Sequence, residues 1–166
     1  LSENLFKGLS PWMQRLPGGL IHVNVVGCAL FAAISGSSAA TVATVGKMSI
    51  PELRKRKYPE KILLGSLAGS GTLGLLIPPS IILIIYGVAV QESIAKLFIA
   101  GIIPGIMIAL IFMSYVIIWS LINKKDMPKI LEEYSFLEKV KRSKQLLPVI
   151  LLILGVIGSI YTGIAT

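Results

Sequence analysis

Residues 69–80 read Gly69-Ser70-Gly71-Thr72-Leu73-Gly74-Leu75-Leu76-Ile77-Pro78-Pro79-Ser80, in the middle of a stretch oily enough to cross a membrane. A plain anchor would not place three glycines and a Pro-Pro pair at mid-span. Backbone that leaves the helix exposes N–H and C=O groups that hydrocarbon cannot satisfy. Such a break is tolerated where it is buried in protein or lines a polar cavity, and transporters use broken helices there to hold ions and substrates. The stretch therefore points to a binding site at membrane depth.

Working outward, the rest of the chain has the same character. Hydrophobic residues make up 54% of 166 residues and only 14% are charged, with a mean hydropathy of +0.82. Uncharged runs cover Leu16–Gly46, Ile62–Gln91, Leu97–Asn123 and Leu146–Thr166, each near or above the roughly 20 residues that span a bilayer. A soluble domain would scatter polar residues along every amphipathic element. The expected class is an all-α integral membrane protein.

The net charge of +8 is concentrated beside these runs. Lys47–Lys61 carries six basic residues against Glu52 and Glu60, and Lys124–Lys144 carries seven against four acids. Lys and Arg in short connections mark the cytoplasmic side. Neither segment interleaves aromatics as single-strand binders do, so no nucleic-acid partner is expected. Cys28 is alone, which excludes an internal disulfide and suits a small packing residue. The chain has no signal-peptide pattern and no initial Met, and reads as a piece of a longer polypeptide.

With both basic clusters cytoplasmic, and a weaker one at Lys7 and Arg15, even numbers of crossings must separate them. Between the second and third clusters lie two apolar runs, parted by Gln91-Glu92-Ser93. Between the first and second lies only one run. It can enter the membrane and turn back at Ile34-Ser35-Gly36-Ser37-Ser38-Ala39, where Ser37 or Ser38 can cap the next helix. The ingoing arm Leu20–Ile34 would reach about 22 Å, past the midplane but short of a full span; Ala39–Met48 would return. The alternative is one ordinary span with a Ser-rich packing face.

The expected order is thus a cytoplasmic or interfacial N-terminal segment (1–19), a re-entrant helical hairpin (20–48) and a discontinuous transmembrane helix (58–91). A transmembrane helix (95–123), a basic cytoplasmic amphipathic segment (124–145) and a last transmembrane helix (146–166) follow. In the discontinuous helix the first half would start at Tyr58 or Pro59 and end near Gly69, and the chain would loosen through Gly71–Ile77. Pro78 and Pro79 would open the second half, which runs to Ala89, because proline suits a first helical turn. The alternative there is a kinked span in which Gly65 and Gly69 serve close packing. Ser93 is a candidate cap for the following helix. In the amphipathic segment Ile130, Leu131, Tyr134, Leu137 and Val140 lie close to helical spacing. Trp12 and Tyr58 are candidate interface anchors.

Both interruptions would place helix ends near the midplane. Carbonyls around Ile34–Ser35 and Ala68–Gly71, with the hydroxyls of Ser35, Ser37 and Thr72, are hard oxygen donors suited to sodium. The candidate sodium ligands are Ser35, Gly36, Ser37, Gly69, Gly71 and Thr72. Helix N-termini at Ser38–Ala40 and Pro79–Ile81 present positive partial charge to an anion, which makes Ser37, Ser38, Pro78, Pro79 and Ser80 candidate substrate contacts. No Asp or Glu lies inside an apolar run, so a carboxylate proton relay has no candidate. Cation held by carbonyls beside anion held by helix N-termini is the physics of sodium-coupled anion transport.

Gly69-Ser70-Gly71-Thr72-Leu73-Gly74 also matches G-x-G-x-x-G, but a dinucleotide site needs a preceding strand and an unbroken helix after it, and Pro78-Pro79 interrupts that helix. No Walker A pattern, nucleophile–base pair or metal-ligand spacing is visible, so neither catalysis nor a cofactor is expected beyond sodium as coupling ion. His22 is the lone histidine and reads as a packed residue.

Taken in order, Ile34-Ser35-Gly36-Ser37-Ser38-Ala39-Ala40-Thr41, Met48, Ile50-Pro51-Glu52, Gly71–Ser80, Tyr86-Gly87, Ser93-Ile94 and Leu97–Gly105 resemble the large membrane subunit of the tripartite ATP-independent periplasmic (TRAP) transporters. The likeness runs from about Leu16 to Gly105, and Tyr161–Thr166 resembles the lead into that family's second half. The resemblance implies half of an inverted-repeat elevator transporter in a bacterial or archaeal inner membrane. It implies sodium-driven uptake of an organic acid such as a sialic acid or C4-dicarboxylate. It further implies a periplasmic substrate-binding protein and a small membrane subunit, separate or fused, as partners. Lys57-Tyr58 stands where the family often has Gly-Tyr, and a second hairpin and second broken helix have no counterpart in this chain. A sodium/divalent-anion symporter without a binding protein, and a channel-like or structural membrane subunit, remain as alternatives.

Overall fold

A computed structural model describes residues 2–128 and 135–161, and every regular element among them is helical. The helices are α1 (Ser2–Met13), α2 (His22–Ser35), α3 (Ser38–Lys55), α4 (Glu60–Gly71), α5 (Ile81–Val90), α6 (Ile94–Ile122), α7 (Phe136–Ser143) and α8 (Leu147–Tyr161). Short 3-10 turns occupy Gly19–Ile21, Thr72–Leu75, Lys124–Asp126 and Lys144–Leu146.

α2 and α3 form a tightly connected pair. Gly36 ends α2 in the left-handed region (φ 61°), where its N–H reaches Ala32 O, and Ser37 turns extended to cap α3. A residue without Cβ enters that conformation at no steric cost. α3 does not stop at Met48 but continues through Pro51 to Lys55. Its end is closed by Lys57 (φ 60°) and by the Tyr58 N–H on Leu53 O. Two ion pairs, Arg54–Glu60 at 2.6 Å and Arg56–Glu52 at 2.8 Å, employ both acids of this basic segment. The Glu60 carboxylate raises the Arg54 pKa, first by hydrogen bonding and then by charge. The first pair is too exposed to contribute much stability, whereas the second is half-buried.

The run Ile62–Gln91 is divided. Pro59 stands before α4 as its extended N-cap residue rather than inside it. After Gly71 the chain tightens into the Thr72–Leu75 turn, and α5 begins only at Ile81. Pro78 and Pro79, joined by a cis peptide bond, therefore precede α5 instead of opening it. α6 packs alongside this region. Ser93 holds its N-cap position without a side-chain cap bond. Among the described residues α6 is the one helix long and apolar enough to cross a membrane; Gly19–Ser35 and Ile81–Val90 are apolar but shorter. Its outer face is apolar and exposed at Ile103, Ile106, Leu110, Ile118 and Ile122.

The core gathers Leu5, Phe6 and Leu9 of α1 with Val23 of α2, Leu53 of α3, Leu63 of α4 and Val149 of α8. α1 is thus an integral helix of the bundle. Trp12, 41% exposed, does more than stand at a surface: its Nε1–H donates to Ser143 Oγ at 2.8 Å, and its ring meets Phe136 edge-on with Lys139 Nζ 5.6 Å from the centroid. Tyr58 is half-buried, and its Oη accepts the Leu20 N–H at 3.1 Å. Cys28 packs with Val45 and Leu67, and His22 is buried with Nε2 2.7 Å from Pro17 O. Ile130, Leu131 and Tyr134 of the amphipathic segment, and residues 162–166 of the last expected span, lie outside the described residues; within the segment the described helix is Phe136–Ser143.

Candidate functional site

The α2–α3 tip and the break between α4 and α5 meet backbone to backbone. Gly36 O accepts the Ile81 N–H, the first donor of α5, at 3.3 Å. A Cβ on Gly36 would stand 2.6 Å from Pro79 O, and one on Gly74 would stand 2.8 Å from Ser37 C and Ser38 N. A Cβ on Gly71 would strike the side chain of Val42. Gly36 and Gly74 thus let the tip and the break touch, and Gly71 lets the end of α4 approach α3. On the far side, Gly101 and Gly105 of α6 play the same part. A Cβ on Gly101 would lie 2.9 Å from Leu76 O, and one on Gly105 would lie 2.9 Å from Ile77 Cγ1. The break is held between the hairpin tip and a small-residue stripe on α6.

Inside the tip the polar groups bind one another. Ser37 O accepts the Thr41 N–H at 3.0 Å, the Thr41 hydroxyl at 2.8 Å and the Ser35 hydroxyl at 3.3 Å. Ser35 Oγ lies 2.9 Å from Thr41 Oγ1 and receives the Ser37 N–H at 3.4 Å. The Ser37 hydroxyl accepts the Ala40 N–H at 3.5 Å, a long cap bond. Thr41, fully buried, is a residue the sequence reading passed over; its signal is the i, i+4 spacing from Ser37.

Of the candidate sodium ligands, Ser35, Gly36 and Ser37 form the tip, and Gly71 lies against it. Gly69 and Thr72 belong to a different contact. A Cβ on Gly69 would touch the Phe112 ring of α6 at 3.2 Å, and the exposed Thr72 hydroxyl donates to Gly69 O at 2.7 Å. A hydroxyl that donates its proton keeps two lone pairs, so Ser35 and Thr72 retain the donor chemistry a hard cation needs. The Ser37 and Gly36 carbonyls are already engaged.

Among the candidate substrate contacts, Ser38 is half-buried at the first turn of α3, and Pro79 lies beside Gly36. Pro78 is buried against α6. Ser80 is fully buried and donates to Leu75 O at 2.6 Å, so its hydroxyl closes the loop of the break. The N-terminus of α5 has no side-chain cap. Its first amide, Ile81 N–H, is taken by Gly36 O, and no side chain caps the amides that follow.

A second buried network joins α2 to α4. Asn24 Nδ2 donates to Leu63 O at 3.2 Å and to Ser66 Oγ at 3.0 Å, and the Ser70 hydroxyl donates to Ser66 O at 2.6 Å. Asn24 Oδ1 is buried without a partner. Ser66 and Ser70 share one face of α4 at i, i+4 spacing, which is the sequence signal for this network.

The chain matches, over residues 1–166, the family model described as tripartite ATP-independent periplasmic transporter, DctM component. It is 41% identical over 152 residues to the C4-dicarboxylate TRAP transporter large permease protein DctM of Pseudomonas aeruginosa, covering 92% of this chain and 35% of that protein. It is 37% identical over 165 residues to the sialic acid TRAP transporter permease protein SiaT of Haemophilus influenzae, covering 99% of this chain and 26% of that one. The isethionate TRAP transporter permease protein DctMQ of Oleidesulfovibrio alaskensis is 36% identical over 169 residues, covering 100% and 26%. The chain therefore spans roughly a quarter to a third of the length of these relatives. A family model matched from end to end, on a helical chain whose glycine-lined hairpin tip clasps a broken apolar helix, establishes that the chain belongs to the large-permease (DctM) family of TRAP transporters.

Proposed function

We propose that this chain supplies one half of the transport site of a sodium-coupled secondary transporter that takes up an organic acid anion. The observation that carries the proposal is the junction of tip and break, where Gly36 O meets the Ile81 N–H and Gly74 lies against Ser37 and Ser38. Irregular backbone of this kind belongs at a polar cavity within a membrane protein. The hydroxyls of Ser35, Ser37 and Thr72, with the remaining lone pairs of the Gly36, Gly69 and Gly71 carbonyls, would hold sodium. The N-terminus of α5, which no side chain caps, and the first turn of α3, with Ser37, Ser38, Pro78, Pro79 and Ser80 around them, would face the anion.

In this reading α2–α3 is a re-entrant hairpin, α4–α5 a discontinuous span, and α6 and α8 complete spans of a multi-pass protein in the inner membrane. The segments 47–61 and 124–145 face the cytoplasm, as their Lys and Arg content directs. The half-site would move as a unit in an elevator mechanism. A periplasmic binding protein would deliver the substrate, and a small membrane subunit, separate or fused, would pack beside the chain. Relatives named for C4-dicarboxylate, sialic acid and isethionate support a carboxylate or sulfonate anion as the substrate, and others named for ectoine widen the range of small organic solutes.

The test is uptake of radiolabelled organic acids into proteoliposomes holding the complete permease, with and without an inward sodium gradient and the binding protein. Uptake that requires both supports the proposal. Uptake with sodium alone would favour a symporter without a binding protein. No uptake across a broad acid panel, from a folded complex, would overturn it.

A further inference from the structure

Apart from the tip and the break, the structure holds a cavity whose lining is mainly apolar with a few polar groups. It has a volume of about 420 Å3 and opens where the end of α6 meets the turn between α1 and α2. Its lining includes Gln14, Arg15, Gly18, Tyr58, Ser120 and Lys124. Arg15 and Lys124 are exposed and bring two positive charges to its mouth. No acidic side chain is among its described lining residues.

Two of the lining residues carry donors with nothing to bind. Gln14 is 6% exposed and Ser120 3% exposed, and Gln14 Nε2 and Ser120 Oγ are both buried without a hydrogen-bond partner. Leaving such groups unpaired is costly, and an oxygen-rich occupant would satisfy both. The chain narrows the cavity on its inner side. Gly18 sits in the left-handed region (φ 101°), and a Cβ there would lie 3.0 Å from Ser120 Oγ. The carbonyl end of α6, which would repel an anion, is covered in part because Asn123 Nδ2 donates to Trp119 O at 2.9 Å.

We infer that this cavity binds a phosphate group, presented by the headgroup of an anionic phospholipid. Two cationic side chains at the mouth and two neutral donors below match a singly charged phosphodiester. The position at the Lys-rich end of an apolar helix of 29 residues is the depth at which headgroups lie. Leu16, Leu121 and Met127 supply apolar lining for the glycerol and upper acyl chain. The volume suits a headgroup and falls within the usual range for small ligands. The site uses none of the tip or break residues and rests on the transport reading only in taking α6 as a membrane span.

The experiment is native mass spectrometry of the complete permease, reading retained phosphatidylglycerol against phosphatidylcholine. The Arg15→Gln/Lys124→Gln variant is expected to retain about tenfold less phosphatidylglycerol, from the charge lost at the membrane surface. The Lys55→Gln/Lys57→Gln variant loses the same charge outside the cavity and is expected to retain as much as the parent. Equal losses in both would reveal diffuse surface attraction and overturn the inference, as would no loss in either. Should the first variant fail to fold, Ser120→Ala, which changes no charge, is expected to weaken retention severalfold, and Lys124→Arg to preserve it; the reverse overturns the site. Titration with inorganic phosphate separates the sources. Resistance at millimolar phosphate supports the lipid, and displacement assigns the cavity to a free phosphate and overturns the lipid source.

Discussion

The two interruptions solve one problem in opposite ways. At the tip of α2 and α3 the turn is short, and its exposed backbone is satisfied by side chains: Ser35, Ser37 and Thr41 bind one another and the Ser37 carbonyl. Between α4 and α5 the gap is long, side-chain help is confined to Thr72 and Ser80, and the chain is held by what lies beside it, Gly36 on one side and Gly101 and Gly105 on the other. The tip is stabilised from within and the break by its neighbours. A site shared between them would therefore have one stiff wall and one wall that depends on contacts with other helices. Local unfolding and rearrangement draw on segments of the second kind.

The largest effect should come from Gly36. Gly36→Val forces a β-branched residue into the left-handed region and drives a Cβ against Pro79 O, which costs roughly 3 kcal/mol or more from strain and overpacking together. A melting temperature of the complete permease near that of the parent would refute the tip–break contact. Gly74→Ala carries the clash with Ser37 and Ser38 without the positive φ, so it should cost less, about 1–3 kcal/mol, with substrate uptake falling more than stability.

Next, Thr41→Val keeps shape and removes the hydroxyl that bonds Ser37 O; that carbonyl keeps the Thr41 N–H and the Ser35 hydroxyl, so the cost is about 0.5–1.5 kcal/mol. If the tip is stabilised from within, thermal stability and sodium dependence fall together. Thr72→Ala tests the other wall. Its bond to Gly69 O is exposed and contributes about 1 kcal/mol or less, so stability should barely change while the sodium concentration for half-maximal uptake rises severalfold. Unchanged sodium activation would remove Thr72 from the ligand set.

The smallest effect, and of opposite sign, is expected at Gly65. Nothing lies within 4 Å of a Cβ built there, so Gly65→Ala should stabilise α4 by about 0.5–1 kcal/mol through helix propensity. Loss of stability would mean that α4 packs on this face against a part of the permease beyond these residues.

The sequence reveals the two interruptions because their causes are local. A Gly-Ser turn needs positive φ and a cap, and a Pro-Pro pair cannot carry helix hydrogen bonds. What it misplaces is the offset: Pro78 and Pro79 are read as the first turn of α5, whereas the Ser80 hydroxyl on Leu75 O draws them into the loop. The extent of α3 is underestimated because the basic residues after Met48 resemble a loop, while Leu53 is anchored in the core. Contacts across the fold leave weaker traces. The docking of Trp12 on α7 and the split of Gly69 and Thr72 from the tip depend on which helices become neighbours, and nothing local specifies that. Thr41, Ser66 and Ser70 do carry a trace, in their i, i+4 spacing, but polar spacing alone does not tell a buried network from a solvated face.

The Trp12–Ser143 hydrogen bond joins positions 131 residues apart, and Val149 fills the same core as Leu5 and Phe6. During synthesis the first helix emerges long before its last partners exist. At typical elongation rates that interval is on the order of 7–26 s. For that time the apolar face of α1 must rest on α2 and α3, on lipid, or on a chaperone. The early helix is thus a clasp that closes last, and a pause or truncation before residue 143 leaves it open.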